Sequence, residues 1–338
     1  MRAEVGIDFG ATELRVGVSG KGIVWRTPSV IAFDRGTKEI LNFGQVAYET
    51  AAKYPDVSTT HPFRDGILSD PELARRVLAK CLNVTFPDTS GVRALMAVPC
   101  SLTEAQEGSI AEIIAQAGFS EAYLLYSPIA ALIGCGFSLE KTYMSVNIGS
   151  STTDVVVLSE GEIAERLSIP FGGDAFCAAI LDYIRKKHRI RINFRTAEEV
   201  KRSIGTVWVD GERSHTEAMG LDKDDKWQKI ILSSEEMYAA LEEPCAAILD
   251  AVCTSAAKIP LDNVENVLST GILLTGGGAA LHGMKQMIEG ITGFKCIVPR
   301  SPEDAVAEGL CSVLPELPRK LSGVNISNIA VKSYSFRD

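Results

Sequence analysis

The sequence has no Cys-x-x-Cys pair, and its eight cysteines are scattered. That excludes a zinc knuckle or a dithiol redox motif of ordinary spacing. Cys135, Cys177, Cys253 and Cys311 sit among apolar or small residues, as the buried reduced thiols of a cytoplasmic protein do. Four scattered histidines give no metal-ligand spacing. No apolar run approaches the ~20 residues of a membrane-spanning helix. No secretory signal is expected, because Val5-Gly6-Ile7 already reads as a core strand. Positive charge is not in excess: the formal net charge of -9 argues against broad binding to nucleic acid, and no nucleic-acid partner is expected. The basic run Arg185-Lys186-Lys187-His188-Arg189-Ile190-Arg191 reads better as a solvated helix end than as a binding patch.

At 338 residues the chain is long enough for two domains or one large one. An apolar fraction of 46% against 23% charged residues is that of a folded globular protein, with disorder expected only in the tail after Leu317. Residues 3–8, 14–18 and 22–24 read as a β-meander. Helices are expected at 71–82, 104–117 and 128–134, with strands at 94–98 and 122–125 between them. The pattern restarts at Tyr143, with strands at 144–148, 154–158 and 162–169 and helices at 174–187 and 196–205. An inserted hairpin within 207–229 and a long helix over 234–256 follow. The last expected elements are strands at 271–275 and 296–298 and helices at 280–288 and 302–314. Each half is a meander followed by α/β crossover units, unlike the Rossmann order of strand, glycine turn and helix.

One short motif occurs twice. Asp8-Phe9-Gly10-Ala11-Thr12-Glu13 and Asn147-Ile148-Gly149-Ser150-Ser151-Thr152 each leave an apolar strand, turn at a glycine among small residues and run back into alternating valine. The backbone N–H groups of such a turn can bind phosphate oxygens, and glycine permits the close approach. One such turn is weak evidence; two matched copies point to a phosphate chain held between similar lobes. Asp8 suits a Mg2+ that travels with the phosphates, held through water. Gly276-Gly277-Gly278, at a strand-to-helix junction, leaves a surface without side chains. It suits either a flat ring or sugar near a helix N-terminus or tight packing of strand on helix.

In this order and spacing, the three glycine elements resemble the actin/Hsp70/sugar-kinase ATPase pattern. Almost the whole chain looks like the MreB-like bacterial actins. The likeness runs through Gly20-Lys21-Gly22-Ile23-Val24, Pro28-Ser29-Val30, Asp65-Gly66-Ile67, and Val98-Pro99 with Leu102-Thr103-Glu104. It continues in Gln116-Ala117-Gly118, in Arg195-Thr196-Ala197-Glu198 with Lys201 and Ile204-Gly205, and in residues 274–278 with Leu281 and Gly283. The resemblance implies an α/β, two-lobed actin-like ATPase fold of duplicated ribonuclease-H-like domains. The first lobe would hold 1–140 plus 313–338, with a small insertion at 34–63. The second would hold 141–312, with an insertion at 173–246.

The resemblance also implies ATP or ADP with Mg2+ between the lobes. Gly10, Ala11 and Thr12 would flank the phosphates on one side, and Gly149, Ser150, Ser151 and Thr152 on the other. Glu198 and Lys201 would approach the ribose, although three residues apart on a helix they equally suit a surface ion pair. Gly276, Gly277 and Gly278 would border the adenine-ribose unit. Self-assembly into filaments, cell shape, and the cell-wall synthesis machinery at the inner face of the cytoplasmic membrane are the implied setting. In the loop carrying Val84 and Phe86, these side chains either insert shallowly as a peripheral membrane contact or fold inward.

Departures from the family pattern cluster at its catalytic centre. Ala11, Glu13 and Leu14 replace polar residues of the first turn, and Glu13, which a triphosphate would repel, must turn to solvent, find a cation or bind through the metal. Asn147 stands where the second turn usually opens with Asp. Tyr126-Ser127 replace two acidic residues before Pro128-Ile129-Ala130-Ala131, and neither is a carboxylate base. Cys177 stands where a carboxylate is common. Asp8 and Thr152 are the remaining catalytic candidates. The expectation is ATP binding with slow hydrolysis, in a filament shared with a more typical paralogue. The alternatives are a fully active ATPase using Thr152 or Thr103, and a scaffold that has lost the nucleotide.

Overall fold

A computed structural model describes residues 3–64, 67–86, 88–209, 211, 213–317 and 332–335. Asp65, Gly66, Pro87 and most of the tail lie outside the described residues.

Strands β1 (Glu4–Phe9), β2 (Glu13–Val18) and β3 (Gly22–Pro28) form an antiparallel meander. Strands β4 (Ile31–Asp34) and β5 (Ile40–Phe43), helix α1 (Gln45–Lys53) and strand β6 (Val57–Thr60) build a small separate sheet over a minor core of Val30, Ala32, Ala47 and Val57. The short hairpin β7 (Phe63–Arg64) and β8 (Ile67–Leu68) leads to α2 (Pro71–Thr85). Asp70 caps α2 by accepting from Leu73 N at 3.0 Å, with Pro71 in the first turn. Then come β9 (Arg93–Val98), α3 (Glu104–Gln116), β10 (Glu121–Tyr126) and α4 (Ser127–Gly134). Thr103 and Gln106 close a reciprocal capping box on α3.

The order then repeats. Strands β11 (Tyr143–Ile148), β12 (Thr153–Ser159) and β13 (Glu162–Ile169) are the second meander. Helices α5 (Gly173–His188) and α6 (Phe194–Ile204), the hairpin β14 (His215–Leu221) and β15 (Trp227–Ser233), and α7 (Ser234–Ala256) follow. After α8 (Val264–Thr270) the chain runs through β16 (Ile272–Thr275), α9 (Met284–Thr292), β17 (Cys296–Ile297) and α10 (Ala305–Val313), with β18 (Lys332–Ser335) last. The sheets are ordered β3-β2-β1-β9-β10-β18 and β13-β12-β11-β16-β17. Parallel β1, β9 and β10 correspond to parallel β11, β16 and β17. The duplication extends to register. Asp8 faces Arg15 across the first hairpin, and Asn147 faces Asp154 across the second.

Each sheet has its own core, around Leu95, Met96, Ile114 and Ile129 in the first and Phe176, Ile248 and Leu274 in the second. Ala305, Val306 and Leu310 of α10 already belong to the first core, ahead of the return expected at 313. Helices α4 and α10 touch backbone to backbone. A Cβ built on Gly309 would overlap the Ala130 carbonyl oxygen, and one on Gly134 the Ala305 carbonyl oxygen.

Several boundaries differ from the sequence expectation for physical reasons. The helix expected at 280–288 starts only at Met284, because Gly283 adopts φ 83° with its α-carbon against Trp208. The inserted hairpin lies at 215–233, later than expected, and runs directly into Ser233, which caps α7. Strand β18 pairs antiparallel with β10, although Lys332-Ser333-Tyr334-Ser335 carries no apolar periodicity. Among the described residues, no single helix is long and apolar enough to cross a membrane.

Candidate functional site

Both glycine turns and the glycine triplet open onto one cleft of about 1630 Å3. Asp8, Gly10, Ala11 and Thr12 line it from the first hairpin, and Asn147, Gly149, Ser150, Ser151 and Thr152 from the second. Glu198 and Lys201 line it from α6, and Gly276, Gly277 and Gly278 from the end of β16. Every residue singled out in the sequence as a contact therefore borders the same space.

The second turn is braced from behind. Gly149 N donates to Thr152 O at 2.8 Å, while the Gly149 and Ser150 carbonyls accept from Gly173 N and Asp174 N at 3.0 and 2.7 Å. These carbonyls thus satisfy the first N–H groups of α5. Gly172 makes the approach possible, since a Cβ there would come within 2.6 Å of Gly149 O.

The glycine triplet divides by residue into a packed side and an open side. A Cβ on Gly276 or Gly278 would overlap Ile148, so these two let β16 pack tightly on β11. A Cβ on Gly277 would meet nothing within 4 Å, which leaves Gly277 as the open side of the triplet.

Glu198 and Lys201 do form an ion pair, at 2.5 Å, but in the cleft wall and not on an outer surface. Lys201 Nζ also donates to Gly173 O at 3.1 Å, tying α6 to the start of α5. Glu198 accepts from Arg202 Nε at 2.7 Å and from Cys177 Sγ at 3.0 Å. Burial pushes the Glu198 carboxyl up, but Lys201, Cys177 and Arg202 outweigh it and hold the pKa down at about 2. Burial pushes the Cys177 thiol up to about 12, so it stays a neutral donor.

Glu13 does not face the cleft as a bare charge. Its Oε2 lies 2.5 Å from Arg15 Nη2, and Arg15 also meets Asp304 at 3.0 Å and Asp8 at 3.6 Å. Arg26 joins the cluster through Asp304 at 2.7 Å. Burial pushes the Asp8 carboxyl up to about 6 against the pull of Arg15, with Glu13 and Asp304 adding to the rise. Between its ordinary value of 3.8 and about 6, the folded state therefore holds a proton that the unfolded state releases. Asp8 thus costs stability as pH rises through that window. The nucleotide-free Asp8→Asn variant is expected to outlast wild type in denaturant near pH ~7.5, by up to about 3 kcal/mol. Below about pH 4 the two should coincide. Equal or lower stability of the variant at the higher pH would contradict the placement of Asp8.

Four groups are not singled out by sequence reading: Arg15 and Asp154, which line the cleft, and Asp304 and Arg166, which stand behind it. Asp154 is buried and accepts from Cys100 N at 2.8 Å and from Thr152 Oγ1 at 3.0 Å. Burial pushes its pKa up against those hydrogen bonds. Tyr126 is buried too. Its hydroxyl donates to Glu107 at 3.3 Å and accepts from Arg166 Nη1, and the Arg166 guanidinium lies 5.1 Å from its ring. Ser127 lines the cleft and donates to Val98 O at 3.3 Å. No carboxylate stands at 126 or 127, and Tyr126 is committed to a link between the two sheets.

The turns do not fit a divalent cation. A hydrated Mg2+ needs oxygen ligands and local negative charge. Asp8 is shared with a guanidinium, and Asn147 Oδ1 accepts from Thr275 Oγ1 at 3.2 Å. Among the described residues, no three His, Cys, Asp or Glu side chains are grouped to hold a metal. The expected water-held Mg2+ is thus left with one carboxylate, Asp8, which Arg15 shares.

The loop expected at the membrane is divided. Val84 is exposed at the end of α2, whereas Phe86 packs against the first core.

Two duplicated meander-and-crossover halves facing one cleft define the actin-like class. MreB5 of Spiroplasma citri bound to ADP has the same fold, with a TM-score of 0.90 at 24% identity over 96% of this chain and 99% of that one. The AMPPNP-bound form scores 0.87 at 25% identity, covering 97% and 99%. A MamK double helical filament scores 0.82 at 19% identity, covering 94% and 100%. The chain belongs to the MreB/Mbl protein family, whose model matches residues 2–321. The cell shape-determining protein Mbl of Bacillus subtilis (strain 168) is 31% identical over 331 residues, 94% of this chain and 99% of the relative. The cell shape-determining protein MreB of Escherichia coli (strain K12) is 30% identical over 317 residues, 90% and 91%.

Proposed function

We propose that this chain is an actin-like cytoskeletal protein that binds ATP or ADP in its cleft, assembles into filaments that help determine cell shape, and hydrolyses ATP slowly. The lobes proposed are 1–140 with 313–338 and 141–312, with insertions at 34–63 and 173–246, and with α10 of the second stretch packed on the first core. The family, the nucleotides named for the Spiroplasma neighbours and the filament named for MamK support the binding and assembly parts. The slow hydrolysis rests on one observation. Tyr126 is buried against Glu107 and Arg166, and its neighbour Ser127 brings only a hydroxyl to the cleft. A positioned base typically contributes about 10²–10⁴-fold to a rate.

Asp154 favours a second reading, unimpaired hydrolysis. It is a carboxylate in the cleft lining, hydrogen-bonded to Thr152, with a pKa raised by burial. Hydrolysis of Mg-ATP by purified wild type that falls by about tenfold or more in Asp154→Asn would decide for that reading.

Assembly is tested by electron microscopy of the protein with and without ATP, alone and mixed with a more typical paralogue. Filaments that require ATP are expected, and longer or mixed filaments with the paralogue would establish co-assembly. No filament under any of these conditions would sink the cytoskeletal role and leave a monomeric scaffold. Contact with the inner face of the cytoplasmic membrane and with cell-wall synthesis belongs to the same proposal. Val84 is the exposed apolar residue that would make this contact, since Phe86 is packed inward. Equal pelleting of wild type and Val84→Asp with liposomes would remove that contact.

A further inference from the structure

Arg15 stands in the first hairpin directly opposite Asp8, with its side chain 12% exposed in the cleft lining. The equivalent register position of the second hairpin is Asp154, opposite Asn147. The duplicated turns therefore present a guanidinium at one point and a carboxylate at the matching one. A guanidinium is always charged and offers a planar fork of N–H donors that matches phosphate oxygens.

The partners of Arg15 leave it available to exchange. Asp304 already accepts from Arg26 at 2.7 Å, so it keeps a cation if Arg15 turns to another anion. Glu13 is 31% exposed and can be solvated in place of its contact. Asp8, at 3.6 Å, lies beyond hydrogen-bond distance of Arg15 and holds it by charge alone. The same guanidinium would repel a dication placed beside Asp8, and the Asn147 amide oxygen, bonded to Thr275, supplies no compensating charge.

We propose that Arg15 is a built-in counter-cation for the phosphates of a bound nucleotide, and that it takes the place of a divalent metal at this hairpin. The inference rests on the cleft being a nucleotide site. It adds that binding there does not require Mg2+.

The test is calorimetric titration of the full-length protein with ADP and with ATP, once in Mg2+ and once in excess EDTA. Wild-type affinities in the two media are expected to agree within about threefold, because the phosphate charge is met by protein. Arg15→Gln should weaken binding by about tenfold or more in both media, and Arg15→Lys should recover part of the loss. Wild-type binding that is strong in Mg2+ and falls by about tenfold or more in EDTA would overturn the inference while leaving the nucleotide site intact. So would an Arg15→Gln variant that folds and binds as wild type does. Absence of binding in both media would overturn the nucleotide site itself, and this inference with it. If Arg15→Gln does not fold, as judged by circular dichroism, the wild-type comparison between media alone decides.

Discussion

Gly309→Val is expected to cost the fold more than about 3 kcal/mol, a large part of the usual total stability of a domain. Helices α4 and α10 meet through Ala130, Gly134, Ala305 and Gly309, and the atoms in the way of a new side chain are backbone. A Cβ on Gly309 overlaps the Ala130 carbonyl oxygen and comes within 3.0 Å of Gly134 N. No rotamer change relieves that overlap, so the helices must separate. Separation would open the first core around Ile129, Leu132 and Leu310, which are fully buried. Overpacking of an ordinary core position costs about 1–3 kcal/mol, and a backbone clash exceeds that range. Gly108→Ala is the matched control. It lies on α3, a Cβ there meets nothing within 4 Å, and helix propensity favours alanine by about 1 kcal/mol. Thermal and urea unfolding of the two variants should therefore move in opposite directions. A Gly309→Val protein that unfolds with wild type would show that the helices are not packed as closely as described.

Ser127→Glu is expected to raise ATP hydrolysis by about tenfold to a hundredfold, part of what a positioned base contributes. Ser127 is the first residue of α4 and lines the cleft, so its replacement puts a carboxylate where a water could be oriented. A negative charge in the first turn also suits the helix dipole. Tyr126→Glu is the informative contrast. It would bury a second carboxylate beside Glu107 and remove the ring and hydroxyl that Arg166 contacts across the two sheets. That variant should lose stability without gaining rate. Phosphate release under excess ATP separates them. An unchanged rate in Ser127→Glu, with binding intact, would show that the missing base does not limit hydrolysis.

Much of the site was legible in the sequence because it is duplicated. Two glycine turns at matched points of two meanders can be found without knowing how the halves meet. Glu13 is more instructive. The sequence requires Glu13 to turn to solvent, bind through a metal or find a cation, and Arg15 is that cation, two residues on along the same face of a strand. Strand periodicity alone carried that signal, and aligning the two copies would have set Arg15 against Asp154. The Tyr126–Arg166 link was not legible, since the partners lie 40 residues apart and meet only when the sheets are assembled. Strand β18 was hidden for a different reason. It joins the edge of the first sheet through backbone pairing with β10, which its composition does not announce. Phe86 had two readings, membrane insertion or inward folding, because loop position says nothing of which way a ring turns, and its ring packs on the first core.

The most direct measurement follows limiting radiolabelled ATP mixed with excess protein, recording in the same samples how much label is bound and whether it is still ATP. The label is predicted to bind, with or without Mg2+, and to persist as ATP about tenfold longer than on the Ser127→Glu variant. Label that stays free under both conditions, or that turns to ADP as fast as on that variant, would contradict the account.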